Sequence, residues 1–562
     1  MRIGLLTERG YPYVGGEGGL WCDRLVRGLG RHEFDVYAFS GSAVQEEAGW
    51  VPLPPQVGRV RTAPLWTAED DGVVYGRRAR RRFSEHYGEL AAVLCAAAAP
   101  LAPRPEPATP DAAPEADRFA TALHGLAELA RDEGGLPSAL RSDIAVRALE
   151  RACRAHGAPR TAREARVPDL LAVAAYLERA LRPLSLDWYE EDGLGAVDLC
   201  HAAAGGVTAL PGLLAHHFFG IPLLVTEYGV RLRTHYLTRP DSSPAVRSLL
   251  AAFQGRLAAE VYRRAAFVTA GNTHARRWQE RCGADRAKLR TVYPGMDAEP
   301  FAEVGESPER TDPHTLVWVG RVEPAKDLVS LLHAFAEIRK EEPKTRLRIV
   351  GSPSGPEGAA YLGHCTALAA HLFPDEAEGP HAVGDNPVSF EELGGPDVPT
   401  SADAHACGAV TVLSSVVEGF PVGLVEAMFC GRATVSTDVG AVVEAVGGTG
   451  LVVPPRNPRA LAQACVSLLR DPGRRARLGA AARARALELF TVDQNVAAFH
   501  GIYLEIVARA PVHRLLLDDT GDPLPFATPA EVHVPGHWSD PPPRTVPGWA
   551  VDTPAPATRT AR

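Results

Sequence analysis

Short apolar runs recur along this sequence, and most end in a glycine-bearing or polar loop that opens a helical pattern. A run without polar alternation reads as a strand covered on both faces, and strands that alternate with helices assemble in parallel. "RIGLLTE" (Arg2–Glu8), the loop "VGGEGG" (Val14–Gly19), the helical "LWCDRLVRGLG" and "FDVYAFS" make such a βαβ opening. The rhythm returns at "AVDLCHAAAGG", "IPLLVTEYG" (Ile221–Gly229), "AAFVTAGN" (Ala265–Asn272) and "LRTVYPGMD" (Leu289–Asp297). After the polar run Pro300–Pro313 a second series begins. Its strands are "TLVWVG", "RLRIVG", "AVTVLS", "ATVST" and "GLVVP", with helices such as Asp327–Lys340 and Pro458–Leu469. The pattern predicts an α/β protein in which two successive Rossmann-like domains face a cleft at the carboxyl ends of their strands.

At 562 residues the chain exceeds what one hydrophobic core supports. Residues 1–300 are expected to form the first domain, with a helical insertion at about 70–185. That insertion contains the basic run "RRARRR" (Arg77–Arg82) and an Ala/Pro-rich stretch, Ala96–Ala116. Residues 301–490 form the second domain. A final helical pattern, 491–510, is expected to cross back to the first domain, and the proline-rich segment 511–562 reads as disordered.

A net charge of −9 argues against general nucleic-acid binding. "MRIGLLTERG" is too polar for a signal peptide, and no stretch reaches the roughly 18 apolar residues that span a bilayer. The nine scattered cysteines never occur as CxxC, which fits reduced thiols in a cytoplasm and no zinc site. The basic run Arg77–Arg82 reads as a solvated helix face, with weak contact to an anionic membrane or acceptor polymer as the alternative.

Two motifs carry chemistry. In "WVGRVEPAKDLVSLLHAF" (Trp318–Phe335), Arg321 and Lys326 sit after Gly320 on a loop at the mouth of a helix expected to start near Asp327. Only four of the 59 basic residues are lysines, so one inside this loop stands out. Two cations beside free helix N–H groups suit a diphosphate, particularly one that gains charge as a leaving group. The plain alternative is a solvated turn with an ordinary Arg and Lys. In "SSVVEGFPVGLVEAMFCG", Glu418 precedes Gly419, Phe420 and Pro421 at a helix entrance, and Glu426 lies about one turn inside, past Gly423 and Leu424. Carboxylates beside exposed N–H groups accept well from sugar or ribose hydroxyls. The plain alternative is a helix start whose acids answer the dipole. A metal site is disfavoured because no His or Asp cluster accompanies them.

The succession G-R-x-x-P-x-K-D, E-x-G-x-P-x-x-x-x-E-A-M-x-x-G and "STDVGAVVEAV" resembles glycosyltransferase family 4, retaining enzymes of GT-B fold. The N-terminal "LLTERGYPYVGGEGGLWCDRLV", "TEYGVRLR" and "VTAGN" are similar to the branch typified by PelF, a soluble enzyme of exopolysaccharide synthesis. The resemblance covers about residues 1–60 and 195–505. It implies that Arg321 and Lys326 hold the donor diphosphate, Glu418 the hydroxyls of the transferred sugar and Glu426 the ribose. It also implies that Gly423 and Leu424 offer amides to the phosphates, with Gly320, Gly419, Phe420 and Pro421 completing the donor wall. Gly15, Gly16, Gly18 and Gly19, with His201, Tyr228 and Asn272 at other strand ends, would face them from the first domain. No metal or other cofactor is implied, because the nucleotide-sugar is a substrate.

One position departs from that pattern. The family commonly has T-E-H-G, and here the histidine position is Tyr228, which donates a hydrogen bond but carries no imidazole charge. His201 could line the same cleft or be a core residue. The expected function is transfer of a hexose from a UDP-sugar to a hydroxyl of a polysaccharide, lipid or metabolite. A nucleotide-sugar-binding scaffold without turnover is one alternative. An NAD-dependent oxidoreductase is the other, disfavoured because "VGGEGG" does not meet G-x-G-x-x-G.

Overall fold

The computed structural model describes residues 1–14, 17–67, 71–96, 112–238, 242–306, 311–374 and 386–510. Gly15, Gly16, residues 97–111 of the Ala/Pro-rich stretch and the proline-rich segment 511–562 lie outside the described residues.

Two parallel sheets organise the chain. The first holds β1 (Arg2–Glu8), β2 (Glu33–Ser40), β3 (Val57–Pro64), β4 (Leu199–Ala202), β5 (Leu223–Glu227), β6 (Phe267–Ala270) and β7 (Leu289–Thr291). Their order is β3-β2-β1-β4-β5-β6-β7. The second holds β8 (Asp312–Val319), β9 (Arg346–Val350), β10 (Val388–Glu391), β11 (Gly408–Leu413), β12 (Ala433–Thr437) and β13 (Leu451–Val453). Their order is β10-β9-β8-β11-β12-β13. The apolar runs are strands because both faces are covered: Ile3, Leu5, Leu6, Val225, Leu316 and Val412 are all essentially inaccessible. In each sheet the order reverses beside the first strand, between β1 and β4 and between β8 and β11. Ligands of doubly wound sheets bind outside the strand ends at such a reversal.

β3 and β10 are edge strands that the apolar-run pattern does not reveal. β3 is half-exposed, and its Arg59 and Arg61 reach the main-chain carbonyls of Asp192 and Asp187. β10 has only four residues, three of them partly exposed. Edge strands need no apolar face on both sides, so their sequences carry little signal.

The insertion is helical, with main helices Arg77–Leu94, Ala112–Glu133, Asp143–Arg154 and Val167–Leu181. Its Phe83, Tyr87, Leu126, Leu149 and Leu177 share one buried cluster with Tyr37, Trp188 and Leu210 of the sheet layer. It therefore extends the first core instead of folding as a separate body. The helix Val492–Arg509 also packs on the first sheet, with Phe499, Tyr503 and Ile506 against Trp21, Leu25 and Phe34. The two passages of chain between the sheets run side by side: Met296 N–H donates to the Phe490 carbonyl (2.8 Å) and Val492 N–H to the Met296 carbonyl (3.1 Å).

Candidate functional site

The loops at the second sheet's reversal are pinned to one another. After β8, Gly320 lies against the Trp318 indole, and a Cβ on Gly351 would stand 1.8 Å from the Gly320 carbonyl oxygen. That close approach makes glycine obligatory at 351. The helix expected near Asp327 begins at Leu328, after a short 3-10 turn at Pro324–Lys326. Asp327 caps it from the left-handed region (φ 48°), its carboxylate accepting the Ser330 N–H (3.2 Å). A non-glycine residue held there costs about 1 kcal/mol or more, a strain characteristic of functional loops.

Lys326 and Glu418 meet across the reversal at 2.7 Å, with only 13% and 11% of their side chains exposed. Ser415 Oγ donates to the same carboxylate oxygen, Oε2 (2.9 Å). Backbone bonds lock the two loops: Val416 N–H donates to the Ala325 carbonyl (2.8 Å), and Ser414 Oγ to the Lys326 carbonyl (2.7 Å). Glu418 Oε1 takes no protein hydrogen bond among the described residues, and the ammonium keeps donors beyond the one spent on Glu418. Arg321 is exposed and has no partner among the described residues. Among the described residues the site thus offers one fixed cation, one free cation and a free carboxylate oxygen.

The segment after β12 holds Glu418 in place, a role that sequence reasoning missed. Ala441 N–H donates to the Gly419 carbonyl (3.1 Å), and Thr437 Oγ1 to the Ser415 carbonyl (2.6 Å). Gly440 has φ 57°, and a Cβ there would sit 2.3 Å from the Glu418 carbonyl oxygen.

Glu426 lies in the helix Val422–Phe429, about one turn from its start. Its Oε2 accepts from Ser401 Oγ (2.6 Å) and lies 3.8 Å from Nε2 of the buried His405. Ser401 and His405 come from a separate short helix, and no spacing in the sequence links them to Glu426. Not every expected amide is available. Leu424 N–H donates to the Pro421 carbonyl (3.1 Å), which removes it as a phosphate donor, whereas Gly423 N–H has no acceptor among the described residues. Gly423 also packs close to the Val319 carbonyl, where a Cβ would stand 3.1 Å away. The Phe420 ring turns from the cleft into a cluster with Tyr293 and Phe490.

Four expectations for the first-domain wall are corrected. Gly18 and Gly19 belong to the helix Glu17–Gly28, not to the loop. A Cβ on Gly19 would stand 3.3 Å from the Tyr11 nitrogen, so this glycine serves close packing. His201 lies within β4, fully buried, its ring nitrogens 2.7 Å from Tyr503 Oη and 2.7 Å from Thr226 Oγ1. Burial holds its pKa down to about 3, so it is a neutral core residue that does not reach the cleft. Asn272 is buried and caps the helix Thr273–Arg281 by accepting the Ala275 N–H (2.8 Å). Tyr228 Oη accepts from Asn495 Nδ2 (3.3 Å), and its ring packs edge-on to Trp21. Asn495 also accepts from Trp21 Nε1 (3.1 Å) and donates to the Tyr293 carbonyl (2.6 Å), tying the crossing helix to both.

Polar groups that sequence reasoning missed stand at the first reversal. Glu8, at the end of β1, is paired with Arg231 and accepts from Thr208 Oγ1 (2.8 Å). Arg9 follows in the left-handed region (φ 54°) with a largely exposed side chain. Charged residues ending the first strand were the available signal. From the second domain, Glu444 reaches across to accept the Thr273 N–H (2.7 Å) and the Tyr293 hydroxyl (2.9 Å).

Among the described residues, no group of three or more His, Cys, Asp or Glu is placed to hold a metal ion. No described helix is long and apolar enough to cross a membrane.

Comparison with known proteins matches both halves of the chain. The family described as "Domain of unknown function (DUF3492)" covers residues 1–287, helical insertion included, and "Glycosyl transferases group 1" covers residues 313–471. A D-inositol 3-phosphate glycosyltransferase of Streptomyces bingchenggensis is 33% identical over 239 residues, 40% of this chain and 49% of that protein. A second, from Nocardioides sp., is 30% identical over 318 residues, 54% of this chain and 65% of that protein. The chain therefore spans about half to two thirds of the length of these curated relatives. Sucrose-phosphate synthase from Thermosynechococcus elongatus superposes with a TM-score of 0.53 at 18% identity, covering 91% of this chain and 100% of that one. HepE of Anabaena, solved with UDP, superposes with a TM-score of 0.50 at 15% identity, covering 90% and 100%. At such identities the likeness is one of fold, the two-domain GT-B arrangement.

Proposed function

Because this chain belongs to the family of domain DUF3492 and carries a group 1 glycosyltransferase domain, we propose that it transfers a hexose from a UDP-sugar to an acceptor hydroxyl with retention at the anomeric carbon. The observation that carries this reading is the Lys326–Glu418 pair spanning the second reversal, with Arg321, unpartnered among the described residues, in the same loop as Lys326. Lys326 and Arg321 hold the diphosphate, the Gly423 amide contacts a phosphate oxygen, Glu418 Oε1 accepts a hydroxyl of the transferred sugar, and Glu426 accepts from the ribose. The bond from the anomeric carbon to the diphosphate oxygen breaks, and its electron pair leaves with the nucleotide. The acceptor oxygen bonds to the same face of the anomeric carbon, and its proton passes to the departing phosphate oxygen. The two cations stabilise the charge that develops, so no separate general base and no metal is assigned.

In this reading residues 1–300 form the acceptor side, 301–490 the donor side, and 491–510 tie the two together. We place the reaction in a cytoplasm, in the PelF-like branch of family 4, with a polysaccharide as acceptor. HepE, which shares the fold, binds UDP, and this supports the choice of nucleotide.

A thermal-shift panel of UDP, GDP, ADP and NAD tests the reading. UDP at 100 times its dissociation constant stabilises by about 2.7 kcal/mol, and Arg321→Ala removes most of that shift. Silence from every nucleotide sinks the proposal, and a response to NAD alone selects an oxidoreductase. Tyr228 favours one second reading, a binding scaffold, because a phenol stands where the resembled family commonly carries an imidazole. UDP binding without nucleotide release would select it.

A further inference from the structure

The helical insertion carries a groove of about 890 Å³ between the start of the helix Arg77–Leu94 and the helix Asp143–Arg154. Five exposed arginines line it: Arg77, Arg80, Arg81, Arg147 and Arg151, with Ser84 beside them. Its three carboxylates neutralise them only in part. Asp143 engages Arg147 (3.2 Å), and Glu150 engages Arg154, which lies outside the lining (2.9 Å). Glu85 is the third. Arg77, Arg81 and Arg151 have no partner among the described residues. Like charges crowded on neighbouring helical turns repel one another and are destabilising without a counter-charge. In a chain of net charge −9, such concentration calls for a local reason.

We propose that this groove binds an acceptor chain bearing carboxylate or phosphate groups, which extends the acceptor side of the cleft. The inference rests on the glycosyltransferase reading for the word acceptor, but not for the anion. Guanidinium forks match carboxylate and phosphate oxygens two at a time, and several at polymer spacing favour repeated anionic groups. In the chain the arginine helix follows β3, a strand of the first domain, which the reading assigns to the acceptor side. The lining argues against a lipid surface. Among the described residues its one apolar lining residue, Ile144, is half-buried, whereas interfacial helices present exposed large aliphatic or aromatic side chains beside their cations.

Fluorescence anisotropy of the full chain with labelled oligogalacturonate, inorganic polyphosphate and a neutral dextran tests this. Vesicles of phosphatidylglycerol and phosphatidylcholine form a further arm, because Val74 near the groove is 84% exposed. Oligogalacturonate or polyphosphate should bind at low salt and dextran should not, with binding weakened as salt screens the groove. Removing three of five guanidiniums in Arg77→Ala/Arg81→Ala/Arg151→Ala should weaken polyanion binding about tenfold or more. A charge-matched control, Arg31→Ala/Arg459→Ala/Arg474→Ala, should change it less than threefold. UDP stabilisation should survive in both variants, so loss of the donor reading and loss of this one remain distinguishable. The proposal is overturned if neither polyanion binds, if both triple variants weaken binding equally, or if vesicles bind while the polyanions do not.

Discussion

Gly440 should control the donor site without touching a ligand, and replacing it by alanine tests how the site is held. Two costs are legible. At φ 57° a non-glycine residue loses about 1–2 kcal/mol. The new Cβ would lie 2.3 Å from the Glu418 carbonyl oxygen and 2.9 Å from the Gly419 carbonyl oxygen, both main-chain atoms that move only if the loop moves. Overpacking of that kind costs about 1–3 kcal/mol. The sum, about 2–5 kcal/mol, corresponds in a domain of this size to a fall in Tm of roughly 4–20 °C. Gly448→Ala separates the terms, because Gly448 has φ 88° and nothing within 4 Å of its missing Cβ. Calorimetry and UDP-hexose titration of both variants should show Gly448→Ala losing stability alone, while Gly440→Ala also loses at least tenfold in UDP-hexose affinity. Equal behaviour of the two would refute the argument that this segment sets the position of Glu418.

Three further outcomes are expected. Lys326→Met leaves Glu418 nearly buried and uncompensated, so steady-state kinetics should show turnover falling at least a hundredfold, about 2.7 kcal/mol or more; a change under tenfold contradicts its assigned role. Asn495→Leu strands the Trp21 indole N–H and the Tyr293 carbonyl, and urea unfolding should show a loss of about 2–5 kcal/mol, against about 0.5–1.5 kcal/mol for Tyr228→Phe. Burial holds His32 and His124 down to about 4 and His201 to about 3, below the ordinary 6.5. Below pH 6.5 the unfolded chain takes up protons that the folded chain refuses. The stability is whole above that pH and declines by about 1.4 kcal/mol per unit per histidine toward pH 4, and a Tm flat from pH 7 to 4.5 would contradict it.

The sequence revealed the parts of the fold that are buried on both sides, because those segments cannot afford polar residues. β1, β5, β8 and β11 were legible from apolar runs alone, as were the loops that follow them. β3 and β10 were not, because half-exposed edge strands keep arginines and serines. In the site, Arg321, Lys326, Glu418 and Glu426 were legible because strand, glycine and helix signals fixed their places. The Ser401 and His405 contacts to Glu426, and the Gly440 support, depend on packing between elements far apart in sequence, and no local pattern encodes them. His201 and Asn272 misled for a shared reason. A polar residue at a strand end faces either ligand or core, and only the partners show which: Tyr503 and Thr226 for the histidine, the Ala275 N–H for the asparagine.

The central claim is that Arg321, Lys326 and Glu418 activate a nucleotide-sugar with retention. Real-time proton NMR of the chain incubated with an α-linked UDP-hexose, water serving as default acceptor, follows both products at once. The account predicts that UDP and the α-anomer of the hexose appear together before mutarotation, and that Arg321→Ala abolishes both. First appearance of the β-anomer, or absence of nucleotide release from UDP-, GDP- and ADP-hexoses alike, would contradict it.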